Sequence, residues 1–247
     1  MSCSDFEIDQ DDELLMHTYA TLPTNCKKYW KKRYLLFSKF DEGVYLTSEL
    51  WYSVTPEVTA RVIAKIVKNI LPDSQYILDV CCGGGGNSIQ FAQIFRHVVA
   101  VDINANNVKC CQQNSMVYGA DLNTSFVLGD WNSLSETSDW VPEIVPNKKF
   151  DFAFCSPPWG GPKYKYQDTF DLEAMEPFNL YLLCLSMSKF TENFGLFLPR
   201  NLDFDQIREV TRKLFGLRFK TRIVCIWQNE RPLGIMAIFG PSFHSHI

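Results

Sequence analysis

The sequence predicts an α/β protein: one mostly parallel sheet of seven strands, with helices on both faces and a small helical extension at the amino terminus. Three observations predict it. Short apolar runs at 76–80, 97–103, 124–128 and 150–154 alternate with helical stretches, the βα repeat that builds a parallel sheet. A glycine cluster, Gly83 to Gly86, leads directly from the first run into a helix. A chain of 247 residues, 46% hydrophobic and 21% charged, suits one α/β domain with an appendage. The division expected is 1–54, an acidic tail and helical extension, and 55–247, the α/β domain.

Composition narrows the function classes. A net charge of −4 argues against a generally basic nucleic-acid coat while leaving room for local patches. The nine cysteines are an odd number without a C-x-x-C pair, which fits neither a zinc site nor a disulfide framework; reduced thiols in an intracellular compartment are expected, and no metal. No apolar run reaches ~18 residues, so no membrane partner is expected and the chain is read as soluble.

Taken in order, residues 1–13 are acidic and read as disordered or loosely docked. Between 23 and 40 the character inverts: Lys27, Lys28, Lys31, Lys32 and Arg33 interleave with Tyr29, Trp30 and Tyr34. Helical spacing there puts Trp30, Tyr34 and Phe37 on one face. The lysines are either a solvated face or a phosphate-facing cap over a site. Thr55, Pro56 and Glu57 read as the N-cap, first turn and dipole partner of a helix with an apolar stripe of Val58, Val62, Ile66 and Ile70.

The run 76–80 ends beside Asp79, Cys81 and the glycines, followed by Asn87 and a helix over 88–95. Glycine lets the backbone turn sharply and approach a ligand. There is no G-x-G-x-x-G dinucleotide spacing, and the acid before the glycines suits S-adenosylmethionine, which carries a cationic amino-acid end instead of a pyrophosphate. Asp102, 23 residues after Asp79 and followed by Ile103, stands where an acid accepts the two ribose hydroxyls of an adenosine cofactor. A helix over 107–118 with Gly119 beyond it precedes the run 124–128. Asp130 could accept from an adenine amine, and Trp131 either stacks on that ring or closes the core.

After the run 150–154 comes Cys155-Ser156-Pro157-Pro158-Trp159-Gly160-Gly161-Pro162. Consecutive prolines end the strand and stiffen the turn. Trp159 is then a stacking floor for a flat ligand or a core tryptophan after a tight turn. Strands are expected at 195–198, 221–227 and 233–239, a helix at 204–215, and a hairpin around 229–232. None of His17, His97, His244 or His246 has an evident partner.

The order strand, Asp79, glycine loop, Asp102, Asp130 and Ser156-Pro157-Pro158-Trp159 resembles the class I, Rossmann-like S-adenosylmethionine-dependent methyltransferases. More narrowly, Lys28-Tyr29-Trp30, Ser53-Val54-Thr55-Pro56-Glu57, Gly85-Gly86-Asn87, Leu198-Pro199-Arg200-Asn201 and above all Ser156 to Pro162 resemble the trimethylguanosine synthases. The resemblance runs over about 28–200. It implies a seven-stranded methyltransferase sheet and transfer of methyl from S-adenosylmethionine to the exocyclic N2 of a 7-methylguanosine cap. It implies that Asp79, Cys81, Gly83, Gly85, Asn87, Asp102, Ile103, Asp130, Trp131 and Ser156 lie around the cofactor. Ser156 and Pro157 would stand beside the target amine and Trp159 against the methylated base. Lys28, Tyr164 and Arg200 would meet the cap phosphates, while Phe37, Ser53 and Asn114 line the pockets; Lys163 and Lys165 are cations that could equally be solvated. Where this family usually has an aromatic, the chain has Cys81, which bears on packing under the cofactor. Implied partners are capped small nuclear and nucleolar RNAs and ribonucleoprotein proteins, for a monomer in the nucleus or nucleolus, with the cytoplasm as a second compartment. Other readings are an amino-methyltransferase acting on adenine or another guanine, and a cap-binding module without turnover.

Overall fold

The computed structural model describes residues 13–228 and 230–243. The apolar runs become seven strands: β1 Tyr76–Val80, β2 His97–Asp102, β3 Thr124–Leu128, β4 Phe152–Cys155, β5 Phe194–Leu198, β6 Arg222–Gln228 and β7 Arg231–Phe239. They form one sheet of order β3-β2-β1-β4-β5-β7-β6. The first five are mutually parallel, and β7 runs antiparallel to both β5 and β6. Helices are α1 Arg33–Leu36, α2 Leu50–Ser53, α3 Glu57–Ile70, α4 Gly86–Ala92, α5 Ala105–Tyr118, α6 Trp131–Leu134, α7 Leu180–Ser188 and α8 Phe204–Phe215.

Strand residues alternate between two cores, as the period of two requires. Leu78, Val80, Ala153 and Cys155 face the side covered by α7 and α8. Ile77, Phe152 and Phe154 face the side covered by α3, α4 and the amino-terminal extension. With both faces covered, β2, β4 and β5 are buried along their whole length. The register pairs Val80 with both Val101 and Cys155, and Cys155 with Leu196. The strands therefore end level, and the loops after β1, β2, β4 and β5 gather at one edge. Strand order reverses between β1 and β4, the place where open α/β sheets bind ligands.

Several expectations are corrected. The stripe on α3 is displaced: Val58 and Val62 are 58% and 42% exposed, while Ala60, Ile63, Ala64 and Val67 are buried. A strict every-fourth row drifts by about 40° per step, so contact follows the i, i+3, i+4, i+7 row. Pro56, not Thr55, stands at the N-cap, and no side chain caps the helix. The Thr55 hydroxyl instead accepts from the Asn87 amide at 3.0 Å, joining α3 to α4. Residues 27–32 form a tighter 3₁₀ helix before α1. The change of period breaks the expected face: Leu36, Phe37 and Phe40 are buried, whereas Tyr34 is 45% exposed. α4 begins at Gly86, two residues early, because Gly85 in the left-handed region (φ 82°) starts it. α5 begins at Ala105, since the Asn104 side chain accepts from the Asn106 and Asn107 amides. His97 does have a partner, with Nε2 2.9 Å from Ser125 Oγ.

Of the acidic stretch 1–13, only Glu13 is among the described residues; its carboxylate accepts from the Ser48 amide at 2.7 Å. His244, His246 and the expected hairpin residue Asn229 lie outside them. The hairpin closes by pairing Gln228 with Arg231. Among the described residues every cysteine is free, none of the groupings of His, Cys, Asp and Glu could hold a metal ion, and no helix is long and apolar enough to cross a membrane.

Candidate active site

Three loops meet at the carboxyl edge of the sheet. After β1 the backbone enters the left-handed region at Cys81 (φ 62°), Gly83 (φ 53°) and Gly85 (φ 82°), a winding that glycine adopts freely and cysteine does not. A Cβ at Gly86 would lie 2.9 Å from a Val54 methyl and 3.0 Å from the Thr55 carbonyl, so the extension packs directly on this loop. Asp79 beneath it is 1% exposed. Its Oδ2 accepts from the Ser88 hydroxyl, while Oδ1 has no partner among the described residues. Burial raises its pKa to about 7, with the Asp102 charge adding to the rise and the Ser88 hydrogen bonds opposing it. Asn87 Oδ1 is likewise buried and unpartnered. Two orphaned acceptors under a bare glycine backbone fit a bound cationic, donor-rich group, because unpaired buried acceptors are costly unless a ligand satisfies them.

Asp102, at the end of β2, is 8% exposed. Oδ2 accepts from the Gly83 amide at 2.8 Å; Oδ1 accepts from the Asn104 amide at 2.9 Å and more loosely from Asn107 Nδ2 at 3.2 Å. Burial raises its pKa against these hydrogen bonds. The carboxylate thus holds the glycine loop in place, keeping one lone pair on Oδ2 and a long, displaceable contact on Oδ1 for a diol. Ile103 beside it is 68% exposed, an apolar surface that a flat ring could cover. Asp130 uses one oxygen to cap α6, accepting from the Asn132 amide at 3.0 Å. Trp131 takes the second of its two readings. It is 3% exposed, donates to the Ser186 hydroxyl at 2.8 Å and packs against Trp140 and Phe190, so its ring closes the core and offers no stacking face.

The third loop follows β4. Pro157 is buried, Ser156 and Trp159 are half-buried, and Pro158 is exposed. The Trp159 indole N–H donates to the Phe197 carbonyl at 3.2 Å. Its ring lies 5.4 Å from Phe197 and edge-on to Tyr164 at 5.1 Å and 85°. The indole is therefore clamped along its edge before any ligand arrives. A short 3₁₀ helix, Gly161–Tyr166, follows despite the glycines and proline that disfavour helix in the sequence. Asn201 stands out in the sequence only as part of a motif, yet its amide donates to the Tyr164 and Gln167 carbonyls at 3.2 and 2.9 Å and ties that helix to the end of β5.

The remaining expected residues divide. Lys28 is exposed, with Nζ 5.0 Å from the Tyr29 ring. Arg200 is exposed and reaches the Pro232 carbonyl at 3.4 Å, and Tyr164 stands against Trp159. Phe37 is 2% exposed and packs on Tyr118. Asn114 is fully buried, where it accepts from the Tyr45 amide at 2.7 Å and donates to the Tyr45 and Gly84 carbonyls. It is a strut between extension and glycine loop. Ser53 is exposed and donates to the Glu49 carbonyl within its own turn. The side chains of Lys163 and Lys165 lie outside the described residues. Sequence reasoning missed Ser88, Asn104 and Asn107, which orient the two acids, and Tyr52, whose ring edge lies 3.9 Å from where a Gly161 Cβ would be. The run Asp102-Ile-Asn-Ala-Asn-Asn107, dense in capping side chains, was the available signal for two of them. A separate cleft of about 710 Å³ at the opposite edge, lined by Pro72, Asp151 and Asn193 among others, contains none of the expected residues.

The family described as RNA cap guanine-N2 methyltransferase matches residues 74–242, more than half the chain. The chain belongs to this family. Among relatives, the cap methyltransferase is 39% identical over 221 residues to the trimethylguanosine synthase of Saccharomyces cerevisiae, covering 89% of this chain and 69% of that one. It is 34% identical over 207 residues to the trimethylguanosine synthase of Schizosaccharomyces pombe, covering 81% and 82%. Its fold is similar to that of the human methyltransferase 10 domain containing protein, with a TM-score of 0.58 over 86% of this chain and 97% of that one at 13% identity. It is also similar to an O-methyltransferase from Bacillus cereus solved with SAH, with a TM-score of 0.54 over 76% and 83% at 12% identity. The Rossmann-like methyltransferase sheet is thereby shown.

Proposed function

We propose that this cap guanine-N2 methyltransferase uses S-adenosylmethionine to convert the 7-methylguanosine cap of small nuclear and nucleolar RNAs to 2,2,7-trimethylguanosine. The observation that carries the reading is Trp159, clamped on the Ser156-Pro157-Pro158 turn beside the glycine loop at the β1/β4 switch point. Guanine methylated at N7 is a cation, and tryptophan offers the strongest aromatic face for one, about 2 kcal/mol when desolvated. That amounts to a factor of roughly 30 in favour of the methylated cap.

The bound cofactor supplies an electrophilic methyl on a sulfonium. Asp79, Asn87 and the backbone of Cys81, Gly83 and Gly85 would hold its amino-acid end, with Asp102 and Ile103 at the ribose and adenine and Asp130 near the adenine amine. Ser156 and the Pro157 carbonyl would accept from the exocyclic amine, whose lone pair is delocalised into the ring. No histidine stands in the motif, so the chain's contribution is orientation: it holds the amine in line with the transferable methyl, and the proton leaves late to water. Lys28, Tyr164 and Arg200 would face the triphosphate. A monomer in the nucleus or nucleolus, serving ribonucleoprotein particles, suits that substrate.

Mass spectrometry of 7-methyl-GTP and of GTP after incubation with S-adenosylmethionine tests this. The expected result is a gain of one and then two methyls on the 7-methyl substrate alone. Equal transfer to both would remove the charge-based role of Trp159, and transfer to neither would exclude the cap as substrate.

A further inference from the structure

We infer that the basic ridge at 27–33 is a track for the RNA chain beyond the cap, with Lys31 and Lys32 as its phosphate-binding cations. The inference rests on the cap reading and extends it outward from the pocket. The chain carries a net charge of −4, yet no acid occurs between Glu13 and Asp41, and five of the seven residues from Lys27 to Arg33 are cations. The 3₁₀ helix winds the four lysines tightly, and Lys28, Lys31 and Lys32 are exposed.

The cations have different work. Lys27 sits over Tyr19 at 5.3 Å and Lys28 over Tyr29 at 5.0 Å. The Arg33 guanidinium lies 4.7 Å from the Trp30 ring and 4.1 Å from the Tyr34 ring. Among the described residues no ion pair holds Lys31 or Lys32, whereas Lys39 and Arg61 each meet a carboxylate. Rings accompany the charges: Tyr19, Tyr34 and Tyr52 are 55%, 45% and 38% exposed.

The ridge is continuous with the candidate site. Tyr29 lies 6.2 Å from Tyr52, and Tyr52 borders Gly161, two residues beyond Trp159. A path of exposed and half-buried aromatics, flanked by cations, therefore leads from the proposed stacking floor to the outer face of the extension. Cations that follow a backbone, interleaved with rings on which bases stack, are the pattern that binds single-stranded nucleic acid without regard to sequence. An acidic protein would answer to the lysines but has no use for the exposed rings.

The test compares KM for 7-methyl-GTP with KM for a 7-methylguanosine-capped RNA of about 20 nucleotides, in wild type, K31Q/K32Q and K31E/K32E. Both lysines are exposed, so the variants should fold. The Gln pair is expected to raise KM for the capped RNA roughly tenfold, and the Glu pair further, while KM for 7-methyl-GTP stays within about twofold. With two phosphates no longer neutralised, the log–log salt dependence of RNA binding should become shallower by about 1.4. Unchanged KM for the RNA, or parallel loss on both substrates, would overturn the track. So would a polyglutamate competitor that occupies the ridge as well as RNA does. If wild type transfers nothing to 7-methyl-GTP, the cap reading falls instead, and fluorescence anisotropy of the same RNA, uncapped, still decides whether the lysine pair binds it.

Discussion

At the residue scale, Trp159 and Asp79 carry opposite demands. Trp159 is held by the Phe197 carbonyl and by contacts with Tyr164 and Phe197, so its plane is set before a base arrives. Replacing it with alanine should lower kcat/KM for 7-methyl-GTP by about 30-fold or more, the worth of a desolvated cation–π contact, and phenylalanine should fall between. Steady-state kinetics on 7-methyl-GTP and GTP would show the preference collapsing if the charge argument holds. Asp79 is buried, with its pKa raised to about 7. A raised carboxyl pKa means the neutral form is favoured in the fold: that stability is full below the ordinary carboxylate range and is lost as pH rises through about 7. Cofactor attraction needs the ionised form. Calorimetry should therefore find S-adenosylmethionine binding weakening about tenfold per pH unit below that value and level above it. The Asp79→Asn variant should abolish binding yet raise Tm at pH 8, by roughly 2–4 °C per kcal/mol relieved, with a smaller gain at pH 5 and little below the ordinary carboxylate range.

At the element scale, the start of α3 is a junction. Glu57 is 6% exposed and accepts from the Ser38 amide (2.6 Å), the Tyr118 hydroxyl (2.7 Å) and Arg61 (2.6 Å). Burial pushes its pKa up, but these donors more than offset that and hold it below the usual range. Its stabilisation is then present above the ordinary carboxylate range and lost as pH falls through the lowered pKa. Glu57→Gln should cost on the order of 1–3 kcal/mol at neutral pH, since the buried carboxylate's hydrogen bonds from Ser38 and Tyr118 lose the charge that strengthened them, while the pair with the half-exposed Arg61 adds less. Urea denaturation at pH 7 and pH 4 would show the difference from wild type shrinking on the acid side. The sequence presents Glu57 only as a dipole partner for the helix; its real role depends on Ser38 and Tyr118, 19 and 61 residues away. The displaced stripe on α3 has a related cause: valine and isoleucine at every fourth position look like the buried row, while the small residues Ala60 and Ala64 set the close approach.

At the scale of the whole molecule, the extension and the α/β sheet share a core. Phe37, Phe40, Leu46, Leu50 and Trp51 belong to the same apolar cluster as Phe91, Phe152 and Phe154. Trp51 is 1% exposed and stacks on Trp30 at 5.7 Å. A fragment of residues 55–247 would expose that face. Burying one such side chain contributes about 1.5–3 kcal/mol, so losing five is comparable to the whole margin of an ordinary domain. The fragment is expected to aggregate or to lack a cooperative thermal transition by calorimetry; a transition within a few degrees of the full chain would show that the extension is dispensable for folding.

The sequence by itself determined what depends on near neighbours. The strand positions, the glycine loop, the acid ending β2 and the stiff turn bearing Trp159 all follow from local steric rules and hydrophobic period, which act within a few residues. Only the tertiary structure decided what each buried polar or aromatic group faces. It sent Trp131 into the core and made Asn114 and Phe37 supports, and it left Asp79 and Asn87 with unpaired acceptors under the glycines. The physical reason is that a side chain's partner is chosen by chain crossings over tens of residues, and an aromatic or an amide is equally suited to a pocket wall or a core.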